Sequence, residues 1–323
     1  MEISEKLSGF LLVNKPHGWT SFDCVKLIRG ILERGLRERG FTLKRLKVGH
    51  SGTLDPFATG LLIIGIGKGT SAMSRFSDFN KTYIADIGFG IESPTFDLDC
   101  SDLSVCTEPY DFQLEKIVSA LNSFVGVQQQ LPPQFSALKV NGKRAYELAR
   151  KGIEVELKTR EITVFPTDDD GGIDYVMDEV SEVSIGEEVC FVPVLSGVRY
   201  AVSKGTYIRS LVRDLGEKLG VPAVLIGLER INIYAPNFTD NVGEKSLFPV
   251  TCTSKSSAPS IEAGVSITTG ISSTGAGLTV SQFVLKNGFF TLDQALMFSK
   301  ETTFDEIIDA MRELGNIKNI KIY

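Results

Sequence analysis

Histidine is almost missing from this 323-residue chain, which has only His17 and His50. A histidine-based metal site therefore has almost no raw material, and no metal is expected. Cysteine is scarce as well. Cys24, Cys100, Cys106, Cys190 and Cys252 are odd in number and form no CxxC pair. That pattern excludes a disulfide framework and fits reduced thiols in a cytoplasmic protein. Long apolar runs are lacking too: residues 61–66, the most apolar short stretch, are far too few to span a bilayer. Residues 1–6 have neither the basic start nor the apolar core of a signal peptide. Bulk positive charge is also absent. A net charge of −6 excludes a protein that coats nucleic acid indiscriminately. It leaves room for a local basic groove, because charges are screened beyond about 8–10 Å at physiological salt.

What is present suits a globular protein: 42% hydrophobic and 23% charged residues, in a chain long enough for one large domain or two smaller ones. One stretch organises the rest, Val48-Gly49-His50-Ser51-Gly52-Thr53-Leu54-Asp55-Pro56-Phe57-Ala58-Thr59-Gly60-Leu61-Leu62. It is a glycine-punctuated loop between apolar runs, with one carboxylate between a leucine and a proline. Proline fixes its own φ and biases the preceding residue towards extended geometry. Such a loop can aim Asp55 at a fixed point in a cleft; it can equally be an Asp-Pro turn on the surface. Two tempting motifs nearby fail. In Gly65-Ile66-Gly67-Lys68-Gly69-Thr70 the lysine is followed by glycine, not Ser or Thr, and the last glycine of GxGxxG is a threonine. Gly49-His50-Ser51-Gly52-Thr53 misses the GxSxG spacing, with no spare histidine for a triad. Nucleotide binding and serine hydrolysis are not indicated.

In chain order, residues 9–14 read as a buried strand stopped by Lys15-Pro16 and His17-Gly18. Thr20 or Ser21 can cap a helix in which Phe22, Val25, Ile28 and Ile31 or Leu32 share a face. Lys26, Arg29, Arg34, Arg37, Arg39, Lys44, Arg45 and Lys47 then stand against Glu33 and Glu38. Such a run is either a solvated face or a phosphate-contacting one. A strand at 61–66, a short helix at 70–79, a strand at 81–89 carrying Tyr83 and a helix at 113–124 follow. Residues 128–133 fit neither a helix nor a central strand, because of Pro132 and Pro133. A second basic stretch, from Lys139 to Arg160, interleaves Tyr146. Strand 160–165, a hairpin of 189–195 with 198–203 around Ser196-Gly197, a helix at 207–219 with Arg209 and Arg213, and a strand at 223–233 complete the ordered part. Residues 235–287, rich in Ser, Thr and Gly, read as a long insertion without usable periodicity. Residues 288–323 resume ordered-looking sequence, with a helix at 304–314.

The pieces are a loop-held aspartate, a tyrosine on a strand, an arginine opening a helix, and two basic stretches. An arginine near an aspartate keeps the carboxylate ionised, an aromatic ring can stack on an extruded base, and basic strips hold phosphates. The 49–62 stretch resembles the signature of TruB-type pseudouridine synthases. Leu12-Val13-Asn14-Lys15-Pro16-His17-Gly18-Trp19-Thr20-Ser21 is similar to that family's N-terminal motif, and Lys81-Thr82-Tyr83 to its active-site tyrosine strand. Phe135-Ser136-Ala137-Leu138-Lys139, with Gly142-Lys143-Arg144-Ala145-Tyr146, resembles its RNA-gripping thumb. Ser203-Lys204-Gly205-Thr206-Tyr207-Ile208-Arg209-Ser210 resembles its active-site arginine motif.

The resemblance implies an α+β fold with a mixed, mainly antiparallel sheet, a central catalytic cleft and an RNA-binding thumb. It implies a catalytic domain over 1–234 and a closing segment over 288–323 without a complete PUA module; the 235–287 insertion between them is not a feature of the family. It implies isomerisation of the tRNA T-loop uridine, position 55, to pseudouridine. Asp55 would then be the catalytic aspartate, Arg209 its salt-bridge partner, and Tyr83 the ring that stacks on the uracil. Tyr207 and Leu228 would line the pocket, His50 would contact the rearranged T-loop, and Lys139, Lys143 and Arg144 would hold RNA. The product is an isomer of the substrate, so no cofactor is expected. The expected partner is the T-arm of tRNA, with no protein partner, no membrane and a monomeric chain in the cytoplasm. A tRNA-binding folding chaperone with secondary or lost catalysis, and a guide-RNA-dependent H/ACA-type synthase, are the alternatives.

Overall fold

The computed structural model describes residues 9–38, 40–42, 45–100, 102–106, 113–140, 142–177, 181–185, 188–234, 236, 279–284 and 295–297. They fall into two compact units, one made of Met1–Phe79 with Glu229–Tyr323, the other of Asn80–Leu228.

The first unit opens with β1 (Gly9–Lys15), α1 (Ser21–Glu38), β2 (Val48–His50) and β3 (Thr59–Ile66), followed by a 3-10 turn at Gly67–Ala72 and the short α2 (Met73–Ser77). β3 is buried along almost its whole length, as its unbroken apolar run requires. It pairs antiparallel with β1, from Gly9 opposite Ile66 to Lys15 opposite Gly60, and with β2, from Val48 opposite Ile66 to His50 opposite Ile64. A reciprocal capping box starts α1. The Thr20 N–H donates to Asp23 Oδ2 and the Asp23 N–H to Thr20 Oγ1, each at 3.1 Å. Cys24, Val25, Ile28, Leu32 and Leu36 form its buried stripe. Phe22, expected on that stripe, is 48% exposed. At about 100° per residue it sits roughly a quarter turn off the centre of the buried face.

The second unit contains β4 (Asn80–Phe89), the small pair β5 (Ile91–Glu92) and β6 (Ser104–Val105), α3 (Leu114–Asn122), β7 (Gly126–Gln130), the hairpin β8 (Lys139–Val140) and β9 (Lys143–Arg144), and α4 (Ala145–Ala149). β10 (Arg160–Phe165), β11 (Val176–Met177), the hairpin of β12 (Ser181–Ile185) and β13 (Glu188–Val192), β14 (Val194–Val202), α5 (Ile208–Leu219) and β15 (Ala223–Tyr234) follow. β4 and β14 pair antiparallel with Tyr83 opposite Tyr200. β10 joins β14 to β7, which ends before Pro132 and Pro133 as an outer strand. The hairpin expected around Ser196-Gly197 does not form. β14 runs straight through, with a register shift between Leu195 and Val198, and Gly197 takes φ 66°. Ser-Gly here makes a bulge, not a reversal, and the Gly197 N–H donates to Asp86 Oδ1 at 2.9 Å. α5 ends on Gly220 in the left-handed conformation.

The last residues of β15 belong to the first unit, where Glu229 and Arg230 pair parallel with Thr59 and Gly60. β16 (Thr279–Val284) pairs antiparallel with β1, and β17 (Ala295–Met297) with β16. β16 lies inside the segment expected as an insertion. The expected helix at 304–314 and most of 288–296 lie outside the described residues. The result is the expected α+β class with a mainly antiparallel sheet; among the described pairings, β15 meets β3 in parallel, as does one isolated bridge. Among the described residues no helix is long and apolar enough to cross a membrane.

Candidate active site

In the first unit, Asp55 lies on the loop between β2 and β3. Leu54, Phe57 and Ala58 are buried while Asp55 is only partly so, so the apolar neighbours anchor the loop that carries the carboxylate. Polar contacts fix the backbone on every side. Ser21, itself buried, accepts the Leu54 N–H at 2.8 Å and donates its hydroxyl to the Leu54 carbonyl at 3.2 Å. The Pro56 carbonyl accepts the Gly18 N–H at 2.8 Å and the Lys15 ammonium at 3.1 Å. Within the loop the Ala58 N–H donates to the Asp55 carbonyl at 3.1 Å.

Two buried cations hold this frame. Lys15 Nζ also donates to the carbonyls of Trp19 at 2.6 Å and Pro16 at 2.9 Å. Burial pushes the Lys15 ammonium down to about 8, while the nearby Cys24 and Asp55 favour its charge and Arg230 opposes it. Arg230 donates from Nε to the Leu61 carbonyl at 2.7 Å and from its second guanidinium nitrogen to the Gly52 carbonyl at 3.3 Å. One side chain therefore ties both ends of the Asp55 loop. The strand that delivers it runs so close that a Cβ on Gly60, at φ 97°, would collide with the Arg230 backbone. His50 accepts the Gly52 N–H on Nδ1 at 3.3 Å, which leaves Nε2 to carry the proton of the neutral ring. Burial, and next the Arg230 charge, hold its pKa below the usual value.

In the second unit, Tyr83 is 8% exposed on β4. Tyr207 immediately precedes α5, and the Gln130 amide clamps its backbone, accepting its N–H at 2.8 Å and donating to its carbonyl at 3.0 Å. The Arg160 guanidinium lies 5.4 Å from the Tyr207 ring centre. Arg209, in the first turn of α5, is 4% exposed. It donates to the carbonyls of Thr95 and Phe135, each at 3.0 Å, and its Nε lies 3.5 Å from Asp97 Oδ2. Asp97 is likewise buried and accepts the Thr95 hydroxyl at 2.6 Å and the Asp99 N–H at 3.1 Å. Leu228, on β15, is partly exposed. Lys139, Lys143 and Arg144 are all exposed on the β8–β9 hairpin, which turns at Gly142 with φ 81°.

The expected residues thus fall into two groups. Asp55 and His50 stand in the first unit; Tyr83, Tyr207, Arg209, Leu228 and the three thumb cations stand in the second. Sequence reading missed Lys15, Arg230, Asp97, Gln130 and Ser21 as supporting groups. Lys15 and Ser21 sit inside a motif it quoted, so a signal existed. Asp97 lay in an acidic stretch read as loop, and nothing local marked Arg230. Among the described residues no group of three or more His, Cys, Asp or Glu side chains is placed to hold a metal ion.

A carboxylate-bearing loop whose backbone is pinned by Ser21, Lys15 and Arg230 defines a chain built to present a fixed aspartate. Comparison with known proteins gives this class its family. Residues 39–170 match the family model described as "TruB family pseudouridylate synthase (N terminal domain)". Proteins named "tRNA pseudouridine synthase B" are similar over most of the chain. That of Parabacteroides distasonis is 44% identical over 69% of this chain and 84% of its own length. That of Clostridium kluyveri is 38% identical over 73% and 71%. Among solved structures, "Crystal Structure of a Cbf5-Nop10-Gar1 Complex" aligns with TM-score 0.44 and 27% identity, over 70% of this chain and about half, 48%, of that one. The chain belongs to the TruB family of pseudouridylate synthases.

Proposed function

We propose that this chain is a stand-alone tRNA pseudouridine synthase that isomerises the T-loop uridine at position 55. The observation that carries the reading is the Asp55 loop: a partly exposed carboxylate whose backbone is pinned by Ser21, Lys15 and Arg230. The relatives named tRNA pseudouridine synthase B supply the substrate class. In the reaction the N1–C1′ bond of uridine breaks and a C5–C1′ bond forms. The C5 proton leaves and N1 gains one, so atoms balance without an added reagent. Asp55 serves as nucleophile, towards C1′ or uracil C6, or assists a glycal route. A fixed backbone saves the entropy of orienting the carboxylate at the moment of attack.

The remaining roles belong to the same proposal. Tyr83 offers the ring on which the flipped uracil stacks and assists the late removal of the C5 proton. Arg209 serves as the salt-bridge partner of Asp55. Tyr207 and Leu228 give apolar contact to the base, and His50, held neutral, contacts the folded T-loop through its Nε2 proton. Lys139, Lys143 and Arg144 grip phosphates. Residues 1–234 act as the catalytic domain with 288–323 completing it, and the chain works as a monomer in the cytoplasm on the T-arm of tRNA.

The test is to incubate the purified protein with an unmodified tRNA transcript and to map pseudouridine along it. Isomerisation confined to the T-loop, without any added RNA, is the expected result. Tight tRNA binding without isomerisation would favour a folding chaperone. Isomerisation only after a guide RNA is added would make the chain a guide-dependent synthase.

A further inference from the structure

Between Ser21 and Lys47 the chain carries eight cations against three carboxylates, although the whole protein is at −6. The structure sorts those cations. Arg29 turns inward, donating from Nε to the Leu46 carbonyl at 3.2 Å and from a terminal nitrogen to the Val48 carbonyl at 2.9 Å. One turn on, the Glu33 carboxylate accepts the Leu46 N–H at 2.9 Å. This pair stitches the 45–48 segment along one edge of α1 and leaves Arg45 and Lys47 exposed beside the seam. On the helix side, Lys26 and Arg37 continue the Arg29–Glu33 row at helical spacing. Gly30 and Arg34 form the next row outward. Lys26, Arg34 and Arg37 are exposed. From Lys26 to Arg37 the row extends about 16 Å, several phosphates of a nucleic-acid strand.

Three further features mark this face as a contact surface and not simply a solvated one. Gly30 sits mid-helix on the outer face, and a Cβ placed there meets nothing within 4 Å. A helix-weakening residue with no neighbour to accommodate serves no packing purpose in the monomer, but it lets a partner backbone approach closely. Phe22 and Leu27 are 48% and 38% exposed on the flanks, with Lys26 Nζ 5.2 Å from the centre of the Phe22 ring. The Lys26–Asp23 and Arg37–Glu33 ion pairs are solvent-exposed on their cation side. Such pairs are worth little and exchange readily for a phosphate.

We propose that the outer face of α1, together with Arg45 and Lys47, is a phosphate-gripping surface for the tRNA substrate, additional to the β8–β9 hairpin. The proposal rests on the tRNA reading above. It commits to RNA because the complementarity is of charge: five exposed cations on both sides of one seam.

The test compares the whole 323-residue chain with two variants, Lys26→Gln/Arg34→Gln/Arg37→Gln and Arg45→Gln/Lys47→Gln, using unmodified tRNA. Both leave Arg29 and Glu33 in place, so the fold is retained; matched circular dichroism and melting check this. The first variant should bind tRNA about tenfold more weakly at physiological salt. The slope of log affinity against log salt should become shallower by about 2, since each lost phosphate contact removes roughly 0.7–0.9. The second variant, which removes two cations, should change the slope by about two thirds as much. At saturating tRNA the single-turnover isomerisation rate of both should equal wild type. Active variants with unchanged affinity and salt slope would overturn this surface while leaving the proposed function intact. Variants that bind tRNA normally but sediment differently from wild type would overturn it in favour of a protein contact. A wild type that neither binds nor isomerises tRNA would overturn the proposed function, and this surface with it.

Discussion

Lys15 spends its donors on the carbonyls of Pro16, Trp19 and Pro56, and its burial has a consequence for pH dependence. Its ordinary value of 10.5 falls to about 8 in the folded chain. Between these values the unfolded chain holds a proton that the folded chain has released, so this contribution to stability rises with pH across the window. Below about 8 both states are protonated and the contribution is constant. The unfolding free energy of wild type, minus that of Lys15→Met, should therefore grow from pH 8 to pH 10; a flat difference would contradict the assignment. Arg230 is tested differently. Arg230→Met leaves the Gly52 and Leu61 carbonyls without their donor and should cost about 2–4 kcal/mol in urea unfolding. Arg230→Lys should recover only part, because one ammonium cannot reproduce the fork. Gln130→Leu removes both bonds to the Tyr207 backbone and should cost about 2 kcal/mol or more. At this scale the sequence was half legible. Asp55 announces itself because glycine and proline punctuate it locally. Arg230 meets Gly52 across 178 residues, Arg209 meets Thr95 across 114, and Gln130 meets Tyr207 across 77. No local pattern encodes partnerships of that range.

Periodicity located most of the elements. The apolar run of β3 and the helical spacing of α3 and α5 give each its type, and the structure keeps them within a few residues. The Ser196-Gly197 turn was misread for a definable reason. A glycine at positive φ suits a hairpin turn and a bulge equally, and only the pairing of β14 with β4 on both sides decides between them. Glycine at Gly60 has a harder requirement, since the strand carrying Arg230 fills the space a side chain would take. Gly60→Ala should destabilise the first unit by about 2 kcal/mol or more, combining strain at positive φ with the collision. Gly142→Ala, also at positive φ but with nothing within 4 Å, should cost only about 1 kcal/mol. Thermal melts of the two variants side by side would separate collision from backbone strain.

At the scale of the whole molecule, the chain leaves the first unit at Phe79 and returns to it at Glu229, inside β15. A reading of local pattern carries no sign that one compact unit is assembled from the chain's two ends. Nor could it foresee β16, which pairs with β1 from within a Ser/Thr/Gly-rich stretch that carries no usable period. Family motifs spread over residues 12–210 conveyed more than any element reading. They carry chemistry, and chemistry constrains residue type more tightly than folding does. An acidic whole and a basic 21–47 segment are compatible, because the field at a protein surface is local. The central claim is that Asp55 performs the reaction, and single-turnover isomerisation of tRNA by Asp55→Asn tests it most directly. The account predicts a rate at least about ten-thousandfold below wild type, with tRNA affinity and unfolding midpoint unchanged. A variant that still forms pseudouridine within tenfold of the wild-type rate would contradict it.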